Sequence, residues 1–180
     1  MNVPNILTIF RIILTPVIVI LLIQGSFGLA LVVFAVADVT DALDGFFARI
    51  LRQKTELGSY LDPMADKALL VSSFVTLSAL NAIPAWLTVI VISRDCVILC
   101  GVAILFFMSV PFEVKPAVVS KITTVLQAAV VLAVLVLLNL PEIREPFWMS
   151  VLFIAAALFT AASGFNYIAT GIHYINRKSS

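Results

Sequence analysis

Six apolar runs, broken by proline, glycine or charge, occupy most of this 180-residue chain. They cover roughly residues 5–24, 27–52, 58–80, 84–108, 117–140 and 147–173. A helix that crosses a bilayer needs about 20 apolar residues, so six take up roughly 120. The connectors between them are short, so almost no chain remains for an extramembrane domain. Soluble domains are about 45–50% apolar and about 25% charged. This chain is 62% hydrophobic and 12% charged, with a mean hydropathy of +1.17, which excludes a soluble globular protein. The runs are continuous and not alternating, which excludes a membrane β-barrel. The expectation is an all-α integral membrane protein, a single domain over residues 1–180 with six transmembrane helices.

The basic residues orient it. Arg52 and Lys54 follow the second run, Lys115 follows the fourth, and Arg177 and Lys178 close the chain. On the other side the first and third connectors carry no basic residue and the fifth only Arg144. The positive-inside rule puts both termini in the cytoplasm. The opening MNVPNILTIF has no Lys or Arg, and its apolar run continues without a cleavage-type ending. The expectation is that the first helix is retained and is neither a signal nor a transit peptide, which favours a bacterial inner membrane. A net charge of +1 offers no surface for nucleic acid. Cys96 and Cys100, four apart in an apolar run, read as small core residues and not as a bridge or metal pair. Trp86, Trp148, Tyr167 and Tyr174 lie near run ends, as an aromatic belt does, and His173 reads as interfacial.

Charge is concentrated in one place. Six of the ten acids, Asp38, Asp41, Asp44, Glu56, Asp62 and Asp66, stand between residues 38 and 66. Each carboxylate at membrane depth costs about 2.5–3.5 kcal/mol on the insertion scale, so a cluster needs compensation. Asp41 and Asp44 are three apart and Asp62 and Asp66 four apart, so each pair shares one helix face. Asp44 lies eight residues before Arg52 and Asp66 eight residues after Gly58, each about 12 Å from its helix end. Two antiparallel helices can therefore bring four carboxylates to one point. Two divalent cations balance that charge, and hard oxygen donors favour Mg²⁺ or Mn²⁺. Ion bridges to Arg49, Lys54 or Lys67 could account for one acid but not for four at these intervals. Gly45, Ala48 and Gly58 beside the acids either admit a ligand to the backbone or let helices pack closely.

The pattern Asp41-Ala-Leu-Asp44-Gly45-Phe-Phe-Ala48-Arg49, then Gly58, Asp62 and Asp66, resembles the signature of the CDP-alcohol phosphatidyltransferases at all eight fixed positions. The resemblance extends over nearly the whole chain, including the opening NVPNILTIFRIILTP. It implies transfer of the phosphatidyl group of CDP-diacylglycerol to an alcohol with release of CMP. It also implies that Asp41, Asp44, Asp62 and Asp66 hold two divalent metals and that Asp66 is the base. Gly45, Ala48, Arg49 and Gly58 would line the nucleotide site. A homodimer is implied as well. Asp38 lies outside the signature and receives no role.

The acceptor is read elsewhere. Ile92-Ser93-Arg94-Asp95 and Lys115-Pro116-Ala-Val-Val-Ser120-Lys121-Ile-Thr123-Thr124 resemble stretches of the eukaryotic-type cardiolipin synthase branch, as does Thr160-Ala-Ala-Ser163 with Tyr167. That branch implies phosphatidylglycerol as acceptor. The alternative is the phosphatidylglycerophosphate synthase branch, with glycerol 3-phosphate. Arg94, Lys115 and Lys121 are the candidate acceptor-phosphate partners, and Thr8 and Arg11 candidates for the diphosphate. Arg94 could instead bridge to Asp95 or a motif acid, and Arg11 and Lys121 could snorkel to headgroups. A small divalent-cation transporter is the non-enzyme alternative, since intramembrane acids also line ion paths. A transporter carries polar groups through the full bilayer, whereas these acids sit in the cytoplasmic halves of the second and third runs.

Overall fold

The computed structural model describes the backbone of residues 3–51, 56–107, 118–140 and 146–178, and the side chains of residues 9–40, 64–101, 119–140 and 146–171. Among the described residues six helices follow one another: α1 Val3–Ile23, α2 Phe27–Leu51, α3 Glu56–Ala79, α4 Ala85–Phe107, α5 Val118–Leu138 and α6 Phe147–Lys178. Each apolar run of the sequence forms one of them. The largest departure is α6, which continues past residue 173 to Lys178. No proline interrupts Ile172–Lys178, and basic residues suit a helix C-terminus.

Two helices end in the same way for the same backbone reason. After α1, Gly25 takes φ +72°, its N–H reaching the Leu22 carbonyl at 3.1 Å while Ser26 N–H reaches Leu21 at 2.9 Å. After α3, Asn81 takes φ 58°, with Asn81 N–H to Ser78 at 3.0 Å and Ala82 N–H to Leu77 at 2.9 Å. Both are Schellman caps, which need one left-handed residue, and asparagine tolerates that region best after glycine. Pro84 follows the second cap, and its carbonyl accepts the N–H of Leu87 as α4 begins.

The chain forms two compact units. The first holds Met1–Ile83 and Val131–Glu145, the second Pro84–Val130 and Pro146–Ser180. In the first, α1 packs against both α3 and α2; in the second, α4 packs against α6. Among the described residues two helical stretches, Val119–Leu138 and Phe147–Gly171, are long and apolar enough to cross a membrane, and the apolar stretches Ile9–Ile23 and Phe27–Thr40 are shorter. α3 and α4 carry Asp66–Lys67 and Arg94–Asp95 within otherwise apolar stretches. The outward faces are strongly apolar: Ile13 is 57% exposed, Leu29 62%, Val125 69% and Leu158 65%. An apolar surface of that extent suits lipid, not water.

One expectation fails here. Cys96 and Cys100 are exposed, not core. α4 turns Leu87, Val91, Arg94 and Asp95 inward, and at 3.6 residues per turn positions 96 and 100 fall on the far side.

Candidate active site

The interior of the first unit is built from helical stripes. α1 buries Arg11, Ile18 and Leu22; α2 buries Ala30, Phe34 and Ala37; α3 buries Ala65, Leu69, Ser73 and Leu77. These positions recur every three, four or seven residues, the spacing of a single helix face. On α2 that face runs on through positions 41, 44, 45 and 48. On α3 positions 58, 62 and 66 share one side of the helical repeat with 65, 69 and 73. Both helices pack on α1.

Asp66 is half-buried, between buried Ala65 and Leu69, and Asp66, Lys67, Asp38 and Arg11 are each engaged by neighbouring groups. Arg11 is 2% exposed and lies on the α1 stripe, so it does not snorkel to the surface. The hydroxyl of Thr15 donates to its carbonyl at 3.0 Å. Thr8, Asp41, Asp44, Gly45, Ala48, Arg49, Gly58 and Asp62 have described helical backbone only, and their side chains lie outside the described residues. Lys115 lies outside them altogether, as do the side chains of His173 and Tyr174. All-oxygen donors, two on each of two helices, fit a divalent hard cation by their chemistry.

The second unit contains a polar group the sequence did not resolve. Arg94, 7% exposed and ten residues into α4, donates through Nη1 to Asp95 Oδ1 at 2.7 Å. Its Nη2 donates to Ser120 Oγ of α5 at 2.7 Å and to Ser163 Oγ of α6 at 2.8 Å. Its Cζ lies 5.9 Å from the Tyr167 ring centroid. Tyr167 therefore belongs to this cluster and not to an aromatic belt, whereas Trp86 and Trp148, each second in its helix, are exposed as belt residues are. The polar seam continues between α5 and α6: Thr123 Oγ1 donates to the Phe159 carbonyl at 3.0 Å, and Gln127 Nε2 to Thr160 Oγ1 at 3.2 Å. Lys121, by contrast, is exposed. Gln127 had drawn no notice in the sequence. Its signal was there: polar residues at 120, 123 and 127 and at 160, 163 and 167 repeat the same spacing in two apolar helices.

Gly164 gives Arg94 its room. A Cβ there would stand 3.6 Å from Arg94 Cγ, ordinary contact, so alanine fits and leucine does not. Gly164→Ala is expected to be neutral or to stabilise by up to about 1 kcal/mol through helix propensity. Gly164→Leu should destabilise by about 1–3 kcal/mol through overpacking. Thermal unfolding of both variants in detergent checks the contrast.

The family model for CDP-alcohol phosphatidyltransferase matches residues 1–171. The chain belongs to that family. Curated relatives of this phosphatidyltransferase chain include the cardiolipin synthase (CMP-forming) of Rattus norvegicus, 35% identical over 94% of this chain and 61% of its own length. The human protein of the same name is 35% identical over 94% of this chain and 62% of its own. The probable phosphatidylglycerophosphate synthase of Mycobacterium tuberculosis is 32% identical over 98% of this chain and 81% of its own. The chain thus spans about three-fifths of the length of the rat and human relatives.

Proposed function

We propose that this chain is a membrane-embedded transferase that moves the phosphatidyl group of CDP-diacylglycerol to the free hydroxyl of phosphatidylglycerol, giving cardiolipin and CMP. The observation that carries it is the eight-position signature within residues 41–66, inside the family match over residues 1–171. The acceptor hydroxyl oxygen attacks the phosphorus attached to diacylglycerol, the bond from that phosphorus to the bridging oxygen breaks, and CMP departs with that oxygen. The hydroxyl proton passes to the Asp66 carboxylate. Asp41, Asp44, Asp62 and Asp66 would hold two divalent cations, which when bound supply charge neutralisation at the diphosphate and the leaving CMP. Gly45, Ala48, Arg49 and Gly58 take the cytidine end. Thr8 and buried Arg11 serve the diphosphate, and Lys115 and exposed Lys121 the acceptor's phosphate.

Six membrane-crossing helices with both termini in the cytoplasm place the nucleotide at the cytoplasmic rim and leave the acyl chains in lipid. The apolar outward faces and the basic connectors support this. A bacterial inner membrane is the matching location. Resemblance of the α4 and α5 stretches to the cardiolipin synthase branch favours phosphatidylglycerol. The relative named as a probable phosphatidylglycerophosphate synthase supports a second reading, with glycerol 3-phosphate as acceptor.

One assay decides between them. Purified protein with labelled CDP-diacylglycerol and Mg²⁺ or Mn²⁺ is offered each acceptor separately. Cardiolipin formed from phosphatidylglycerol is the expected product. Product from glycerol 3-phosphate alone moves the chain to the second reading.

A further inference from the structure

The buried cation of the second unit invites assignment as a phosphate ligand, but its surroundings argue otherwise. A guanidinium recognises phosphate through paired N–H groups presented as a fork. In Arg94 both terminal nitrogens are already engaged, Nη1 by Asp95 and Nη2 by Ser120 and Ser163. Both Nη2 hydrogens are taken, so the two N–H groups left, on Nε, which is buried without a hydrogen bond, and on Nη1, do not form a parallel pair. The charge is also answered inside the chain, because Asp95 is itself 8% exposed and in contact with it. To receive a phosphate, Arg94 would have to release two serines on two helices and share its charge with a second anion.

What the contacts do instead is key three helices together. Ser120 is the third residue of α5, and Ser163 and Tyr167 stand one turn apart on α6, with Gly164 leaving space for the aliphatic stem of Arg94. Arg94 bridging Ser120 and Ser163, with the direct bonds of Thr123 to the Phe159 carbonyl and of Gln127 to Thr160, then holds α5 against α6. Buried interhelical hydrogen bonds of this kind hold helices where apolar contact with lipid gives no preference. Lys121, next to Ser120, is the exposed cation whose station the opening turn of α5 sets. We infer that Arg94 is a positioning residue, an internally neutralised brace that fixes the opening of α5 against α6, and not the cation that takes the acceptor's phosphate. The catalytic part of this inference rests on the transferase reading above.

Two variants separate the roles. Arg94→Lys keeps the charge but has a single head that cannot hold Asp95 and two hydroxyls together. The double variant Ser120→Ala/Ser163→Ala leaves Arg94 and its charge untouched and removes the hydroxyls. Both are purified in detergent and compared by thermal midpoint, by kcat, and by KM for phosphatidylglycerol and for glycerol 3-phosphate. For a brace, both variants lower the midpoint by about 5 °C or more. Both also lower kcat by about 10- to 100-fold through misplacement, with acceptor KM within about threefold of wild type. A serine double variant with wild-type midpoint and kcat, beside an Arg94→Lys enzyme whose acceptor KM rises tenfold or more, overturns the inference and makes Arg94 a ligand. A lowered midpoint with unchanged kcat also overturns it, leaving a purely structural bond. If the wild-type chain turns over neither acceptor, the transferase reading fails by itself. The midpoints then decide the brace: equal drops support it, and an unmoved serine double variant rejects it.

Discussion

Replacing Asp66 with asparagine is expected to lower turnover by about 10³-fold or more while CDP-diacylglycerol still binds. The substitution keeps the size of the side chain and its place between buried Ala65 and Leu69 on α3. It removes the one property the reaction needs from a base, a carboxylate that can take the acceptor's proton, and proton transfer by a placed side chain contributes about 10²–10⁴-fold. Three remaining carboxylates would still attract cation and nucleotide, so the deficit should fall on kcat. Equilibrium binding of CDP-diacylglycerol and single-turnover rates separate the two quantities. An Asp66→Asn enzyme that turns over at the wild-type rate removes the base assignment.

The second large effect concerns the cations. Asp41→Asn and Asp62→Asn, one on each helix, are each expected to weaken Mn²⁺ binding at least about 100-fold, more than loss of an outer hydrogen bond to a ligand does. Activity should fall in parallel and recover in part at high metal. Electron paramagnetic resonance of Mn²⁺ gives the binding directly, without any turnover. Chelation of the wild-type protein should abolish transfer, and added Mg²⁺ or Mn²⁺ should restore it. Full activity in chelator contradicts the two-cation proposal. So does metal affinity unchanged in both variants.

How far the chain could be read from its letters depended on the reach of each physical rule. Helix number and order were legible because a bilayer sets a length and any sufficiently long apolar run satisfies it. Helix ends were legible where backbone chemistry is local, as at Gly25 and Asn81. The end of α6 was not, because helix propensity carries the backbone beyond the apolar run. That Asp62 and Asp66 share one helix face followed from periodicity, and Asp66 is half-buried beside buried Ala65. Periodicity alone could not say which face of α4 packs. Cys96 and Cys100 were placed inside for that reason and lie outside.

Local spacing and charge by themselves determined the six helices and the acidic stretch on α2 and α3, and the resemblance of that stretch to a known signature pointed to the family, since each depends on residues near one another in sequence. Only tertiary structure decided that Arg11 is buried and not snorkelling, that Tyr167 faces a guanidinium, and that Arg94 joins Ser120 and Ser163. Those partners stand 26 and 69 residues away along the chain. No local rule couples residues that far apart. Which of several polar groups meet in an apolar interior is settled when helices pack and each buried donor must find its acceptor.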